Sequence, residues 1–568
     1  MLLNNHLKLW DSIDQKYKKK LILLFFVMLL SSISEIFSII ILMPFLTMIT
    51  SVENFYNLTV TKKIIEIFNI KDDQRIISIF TIIFIACILI SGFMRLILIY
   101  LQAKISHEIG ANLCQKIFTK MIKLNYLDFK KFNSGEFISS LTLKVNTLVS
   151  SVILPIINIV TSIFIAFAIL ISVAYVDFQI SLYSFLSFGM IYFLIILYTK
   201  RKLFFHSQVL SVDQVKITKI IQEAFYGFKD IVINNLHNYF FNIFKSTDLK
   251  IRNSIVMVYV IGQSPRYVIE SIGISLIALF SMLLMNDSEN SFVNYIPTIG
   301  VLVLAAQRIL PLFQQVYSGL ISIKSGNHIL IDIINLTNQK YSYETTENIK
   351  EIKFDKQIEL SNVSFKYPGS NKWIFKNYNL KINKFEFIKL SSKSGKGKTT
   401  LIDIIINLIK PLEGDLYIDE KKIDSSYSSS WHQKISHVPQ EAFFSDSSII
   451  SNIAFGIHDS QINQYKIEKI IKICELDEII KNLPNGIETI IGERGLTLSG
   501  GQRQKIALAR SLYRESEILI LDEATNAIDI DSENRILNNL IENYNMTIIF
   551  ITHRQNKFTF PHRTLNLE

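Results

Sequence analysis

Ser391-Ser392-Lys393-Ser394-Gly395-Lys396-Gly397-Lys398-Thr399-Thr400 stands between an apolar segment, residues 385–390, and the apolar run Leu401-Ile402-Asp403-Ile404-Ile405. The order of strand, glycine-bearing turn and helix is that of a phosphate-binding loop. Its backbone N–H groups converge on an anion, and the helix N-terminus adds its dipole. In such a loop Gly395 and Gly397 form the turn, Lys398 meets the β- and γ-phosphates of ATP, the Thr399 hydroxyl ligates Mg²⁺ and Thr400 supports the α-phosphate. Ser392 stands where the pattern has its first glycine, a substitution that a negative φ tolerates and a positive φ does not. So short a motif also arises by chance, so its neighbours decide the reading.

Downstream, Ile518-Leu519-Ile520-Leu521-Asp522-Glu523 is an apolar strand ending in two carboxylates. Hydrolysis needs that pair: Asp522 to hold Mg²⁺ and Glu523 to polarise the attacking water. His553 follows the next strand, residues 547–551, within reach of a γ-phosphate. Ser499-Gly500-Gly501-Gln502 opens a further helix, a second set of N-terminal amides suited to an anion. One nucleotide has no use for two such helix ends from a single domain. The pattern therefore predicts a dimer of identical chains, with each ATP held between the phosphate loop of one copy and the Ser499 to Gln502 segment of the other.

Upstream the chain changes character. Of 568 residues 49% are hydrophobic and only 19% charged, with 40 Phe, and the mean hydropathy is +0.31. These values exclude a purely soluble chain, a disordered one and a collagen-like one. Three cysteines without paired spacing exclude a disulfide scaffold, and Cys87, Cys114 and Cys474 read as small hydrophobes. A bilayer core about 30 Å thick takes about 20 helical residues to cross. Six runs qualify: residues 21–50, 76–99, 148–176, 180–198, 267–285 and 292–317. Between the second and third lie Lys104, Lys116, Lys120, Lys123, Lys130, Lys131 and Lys144 against Glu108, Asp128 and Glu136, and the connection 200–266 is also basic. The outer connections are short, at Asp177, or acidic, at residues 286–290. Positive charge marks the cytoplasmic side, so both termini are expected there. Membrane orientation thus accounts for the net charge of +10 without nucleic acid. The spans are expected to continue beyond the bilayer and turn near residues 126–136 and 222–230. Residues 60–70 carry a helical apolar period, suiting either a helix on the membrane surface or one capping its own bundle.

With these motifs in order, the chain resembles the ATP-binding cassette exporters over its whole length. The resemblance implies six long transmembrane helices (1–335, with cytoplasmic coupling helices), a linker (336–351) and a cytosolic α/β nucleotide-binding domain (352–568). It further implies a homodimer in the bilayer of a bacterial inner membrane, with ATP and Mg²⁺ as cofactors. In that family's pattern Tyr367 stacks on adenine, Gln440 senses Mg²⁺ and joins the catalytic set, and Asp529 contacts the partner. Gly492-Glu493-Arg494-Gly495 would meet the partner's coupling helices. Asn526 stands where Ser is common. The chain ends at Glu568, just after an expected last strand at residues 563–567, without the family's usual closing elements; a modestly less stable cassette is expected.

Charges inside spans cost about 2.5 to 3.5 kcal/mol each on insertion scales and mark function by default. This chain carries Glu35, Arg95, Arg266, Glu270 and Arg308 there. Three arginines on a shared cavity would form an anion site. Alternatively, Arg266 pairs with Glu270 along one helix and Arg95 snorkels toward headgroups. The stretches Ser34 to Phe37, Met43 to Phe45, Ser264 to Gly273 and Gln307 to Pro311 resemble the bacterial flippases of lipid-linked oligosaccharides for protein N-glycosylation. That resemblance implies a polyprenyl-diphosphate glycan or similar glycolipid as cargo, gripped by Arg95, Arg266 and Arg308. An exporter of a peptide, toxin or drug is the alternative, with an ATP-gated channel or regulator behind it.

Overall fold

The structure, a computed structural model, describes residues 2–50, 55–56, 61–62, 73–130, 134–176, 178–285, 289–338, 350–391, 395–492, 495, 497–554 and 560–567. Most of the stretch 60–70, most of the 336–351 linker, Asp177, Ser392, Glu493 and Arg494 lie outside the described residues. Contacts divide the chain into two compact units, residues 1–122 with 132–340 and residues 123–131 with 341–568.

The first unit is helical. A short helix α1 (Leu2–Ser12) precedes α2 (Gln15–Ile40), α3 (Leu42–Thr50) and α4 (Asp73–Ile122). After α5 (Tyr126–Phe129), which groups with the second unit, come α6 (Ser134–Ser139), α7 (Val145–Leu148) and α8 (Leu154–Val176). These three run into one another through π-helical turns at Ser140–Lys144 and Val149–Ile153. Then follow α9 (Phe178–Tyr226), α10 (Phe228–Ile233), α11 (His237–Met285) and α12 (Glu289–Asn338). The 50 residues of α4 rise about 75 Å at 1.5 Å each, far more than a bilayer core requires. Its two faces explain its place. Leu98, Ile105, Ile109, Leu113 and Ile117 are buried in one cluster with Val145, Leu148, Val149 and Val152. Ile82, Leu89, Phe93 and Leu96 recur at helical spacing on the exposed face. Such a stripe suits lipid, where helices satisfy their own backbone groups. Small residues bring the helices close: a Cβ on Gly326 would fall 2.5 Å from Ser151 Oγ, and one on Gly110 2.6 Å from Val149 Cγ2.

Among the described residues four segments, Gln15–Thr50, Arg75–Ile122, Phe137–Tyr175 and Ile299–Thr337, are long and apolar enough to cross a bilayer. The expected runs 180–198 and 267–285 lie within α9 and α11, helices of 49 residues each. Within the first expected turn, residues 126–136, lie the short α5 and the start of α6, the long α4 having already ended at Ile122; within the second, 222–230, Gly227 separates α9 from α10.

The second unit is α/β. Strands β1 (Gln357–Phe365), β2 (Phe375–Asn383), β4 (Glu413–Ile418) and β5 (Lys421–Lys422) form an antiparallel sheet in the order β2-β1-β4-β5. A parallel sheet runs β6-β7-β8-β3-β9, with β3 Phe387–Ser391, β6 Ile435–Val438, β7 Ile518–Asp522, β8 Thr547–Ile551 and β9 Arg563–Asn566. Strands covered on both faces read as continuous apolar runs. Accordingly Ile518, Leu519, Ile520 and Leu521 are all fully buried, each worth about 1.5–3 kcal/mol in transfer from water. Helix α13 (Lys398–Ile405) packs on this core and is anchored at its end by Trp431, whose indole N–H donates to the Ile405 carbonyl at 2.8 Å. The α5 helix belongs here although it lies within the first 335 residues: Tyr126 and Leu127 pack against the same apolar cluster as α13.

Candidate functional site

Register assembles the site. Leu390 of β3 pairs with Ile551 of β8, and Ile551 pairs with Asp522 of β7. The loop after β3, the acids ending β7 and the residues after β8 therefore leave the sheet at one level, on the carboxyl edge where parallel sheets bind ligands. Gly397 caps α13 at φ +91°, and a Cβ there would collide with Ile374 Cγ2. Gly395 also has positive φ, +80°. Only glycine adopts both without strain.

Lys398 follows directly and is buried, with its ammonium 3.7 Å from Glu523 Oε1 and 2.6 Å from His553 Nε2. His553 Nε2 lies 2.9 Å from the same carboxylate oxygen. The other oxygen accepts from Gln440 Nε2 and from Asn526 Nδ2, each at 3.1 Å. Glu523 itself has φ +52°, a strained backbone for a residue with a side chain and of a kind concentrated at functional sites. Thr399 is exposed at the mouth of the loop, while the buried Thr400 exchanges a hydrogen bond with the Tyr367 hydroxyl at 3.0 Å.

Burial raises the proton affinity of Asp522 and the adjacent Glu523 raises it further, with Lys398 opposing both. Two neighbouring acids with one buried lysine lack a cation, and the oxygens of Asp522, Thr399 and Gln440 are the hard donors that Mg²⁺ takes. The residues present fit the ion. Asp403, one turn into α13, is a further carboxyl and is buried. Burial holds its pKa at about 6; Lys130, 4.0 Å away, lowers it and Asp522 raises it.

At the second anion-suited helix, α14 (Gly500–Tyr513), the Ser499 hydroxyl accepts from Gln502 N–H and the Gln502 side chain accepts from Ser499 N–H, a reciprocal cap. A Cβ on Gly501 would fall 2.8 Å from the Ala527 carbonyl oxygen, so this helix start lies against the loop leading to Asp529. Asp529 caps the following helix, α15 (Ile530–Asn543), by accepting from Ser532 N–H at 2.8 Å, which holds its carboxyl below the usual range. Sequence reasoning missed two residues that tie these loops together. Gln504 accepts from Ala527 N–H at 2.8 Å and donates to the Glu523 carbonyl at 3.4 Å. Arg554 donates to the Ile528 carbonyl at 2.8 Å and to the Asn526 carbonyl. Their adjacency to Gln502 and His553 was the one available signal.

In the helical unit, two of the three arginines come together. Arg308 of α12 donates to Glu35 Oε2 and to Ser38 Oγ, the latter at 2.6 Å, both on α2. Arg95 of α4 lies 3.7 Å from Glu35 Oε1. The third does not join them among the described residues. Arg266 pairs instead with Glu270, 3.8 Å away and four residues on along α11, as the helical spacing allows. Arg95 and Arg308 thus meet on one carboxylate, and Arg266 has a partner of its own on α11.

Residues 21–310 match the family described as ABC transporter transmembrane region, and residues 375–526 the one described as ABC transporter. The chain is similar to the ATP-dependent lipid A-core flippase of Cupriavidus metallidurans, 24% identical over 483 residues that cover 83% of this chain and 79% of that one. It is also similar to the Acinetobacter baylyi protein of the same name, 26% identical over 465 residues, 80% of this chain and 78% of that one. Among solved structures, a bacterial Atm1-family ABC exporter with ATP bound aligns with a TM-score of 0.68 at 18% identity, over 95% of this chain and 92% of that chain. That last likeness is one of fold.

Proposed function

The chain belongs to the ABC transporter family, an ATP hydrolase coupled to transport, and from that premise we propose that it is a flippase carrying an anionic amphiphile from the inner to the outer leaflet of a bacterial inner membrane. The observation that carries this reading is the pair Arg95 and Arg308, held on one carboxylate among helices apolar enough to span a bilayer. Arginine grips phosphate oxygens in bidentate fashion. Relatives named for flipping lipid A-core support a lipid cargo. They do not extend to the polyprenyl-diphosphate glycan, which remains the finer form of the proposal.

Two copies act together, each with both termini in the cytoplasm. Lys398, Gly395, Gly397 and Thr400 hold the phosphates of ATP, Tyr367 lies against the base, and the partner's copy of the Ser499 to Gln502 segment closes the site. Thr399, Gln440 and Asp522 hold Mg²⁺, which supplies positive charge to the phosphate oxygens. Glu523 orients the water and accepts its proton, with His553 and Gln440 fixing the carboxylate from either side. The test is a reconstituted, purified protein with a labelled anionic lipid in the inner leaflet. ATP-dependent appearance of the label outside is expected, lost with Glu523→Gln. ATP turnover without label movement, for any anionic lipid tried, excludes the lipid reading in favour of a peptide or drug.

A further inference from the structure

Glu35 is 2% exposed, yet it carries two cations: Arg308, which reaches Oε2 and also Ser38 Oγ, and Arg95 at Oε1. The three groups come from α2, α4 and α12, three different candidate spans. Their exposure is unequal. The side chains of Arg95 and Arg308 are 36% and 27% exposed, against 2% for Glu35. The carboxylate is walled in while both arginine side chains keep part of their surface open. The sum of formal charges, two positive and one negative, leaves one net positive charge.

We propose that Glu35 is the resident counter-ion of an anion site. It occupies part of the grip of Arg95 and Arg308, and the phosphate head of an amphiphile shares or takes over that grip from the open side. This deepens the reading of an anionic cargo and rests on it. Charge decides the ligand class. A phosphomonoester carries about 1.5 to 2 negative charges at neutral pH, more than one net positive charge neutralises, so Glu35 opposes it at close range. A phosphodiester carries one, which the cluster balances as it stands. The site therefore takes diester-like monoanions readily and phosphomonoesters only as Glu35 yields its place. Ser38, bonded to both Glu35 and Arg308, keeps the Arg308 fork in place while the partner changes.

The experiment reconstitutes the full chain in phosphatidylcholine vesicles and reads ATP turnover and thermal melting as phosphatidic acid, phosphatidylglycerol or inorganic pyrophosphate is added. In the unaltered protein phosphatidylglycerol is expected to act at lower mole fraction than phosphatidic acid. In Glu35→Gln the order reverses, with at least a tenfold drop in the phosphatidic acid needed for half the effect. A response to the lipids but not to free pyrophosphate assigns the site to a lipid head; a response to pyrophosphate alone assigns it to a soluble phosphate. The double variant Glu35→Gln with Arg308→Gln keeps the net charge, guards against misfolding of the single one, and is expected to lose the response to phosphatidic acid. Equal lipid responses in the unaltered protein and Glu35→Gln overturn the counter-ion role while leaving the anionic cargo standing. Melting of Glu35→Gln raised by phosphatidic acid, with no turnover response in the unaltered protein, does the reverse. A double variant that responds like the unaltered protein overturns the site.

Discussion

Two carboxylates, Glu523 in the nucleotide unit and Glu35 in the helical one, are each held by two cationic or basic side chains, and they are held for opposite ends. Glu523 is 16% exposed and surrounded by groups that come from four different loops: Lys398, Gln440, Asn526 and His553. Its backbone takes a positive φ, +52°, a strained conformation of the kind concentrated at functional sites. Glu35 sits at 2% exposure in the last two turns of α2 and neutralises charge that apolar surroundings would otherwise not tolerate. The difference teaches that an ion pair alone does not identify a role. In the reading proposed here the more exposed carboxylate does chemistry, and the buried one supports the fold and sets what charge can enter.

Substitutions sharpen that contrast. Glu523→Gln is the largest expected effect: phosphate release from ATP falls by roughly 10²–10⁴-fold, the usual contribution of a positioned base, while nucleotide binding and melting temperature persist. Loss of stability instead of rate would erase the distinction between the two acids. Glu35→Ala is expected to do the reverse, lowering the stability of the helical unit by about 1–3 kcal/mol because two partly exposed arginines lose their buried partner. Thermal melting in detergent micelles measures it, and an unchanged melt removes the structural half of the counter-ion role.

Asp403 stands between the two cases, buried like Glu35 but beside the ATP loop like Glu523. Its carboxyl has a pKa of about 6 in the folded chain against an ordinary 3.8. A raised carboxyl pKa means that the ionised form disfavours the fold. The stability is full below pH 4 and is lost as pH rises through 6. Asp403→Asn is thus expected to be the more stable protein at pH 8, by up to about 3 kcal/mol, with the advantage gone near pH 4. Melting curves across that range decide it, and a gain independent of pH assigns the effect to packing. The smallest effect is Ser499→Ala, which removes one half of a reciprocal cap and costs about 1 kcal/mol. A much larger drop in ATP turnover than in melting temperature is expected, since the hydroxyl also faces the partner's nucleotide in the proposed dimer.

The nucleotide site was largely legible in the sequence because its chemistry is local. A phosphate loop needs glycines beside a lysine, and a catalytic pair needs two acids at a strand end, so Gly395 to Thr400 and Asp522 to Glu523 declare themselves by spacing. Gln504, Arg554 and Lys130 were not legible. Each acts on residues 19 or more positions away in sequence, so no periodicity carries it: Gln504 on Glu523, Arg554 on Asn526, Lys130 on Asp403. Arg266 is the opposite case. The sequence offered both a helical pair with Glu270 and a shared anion cavity, and four-residue spacing decided for the pair.

By itself the sequence determined the class of the molecule: spans long enough for a bilayer, an α/β unit with a phosphate loop, and the acids that follow it. These depend on composition and short-range order, which are properties of the chain. Only the tertiary structure decided that β3, β7 and β8 end level and so bring Lys398, Glu523 and His553 within hydrogen-bonding distance, and that α2, α4 and α12 bring Glu35 between Arg95 and Arg308. Partners on different elements are chosen by how those elements pack, and packing depends on the complementarity of whole faces, to which no single stretch of residues holds the key.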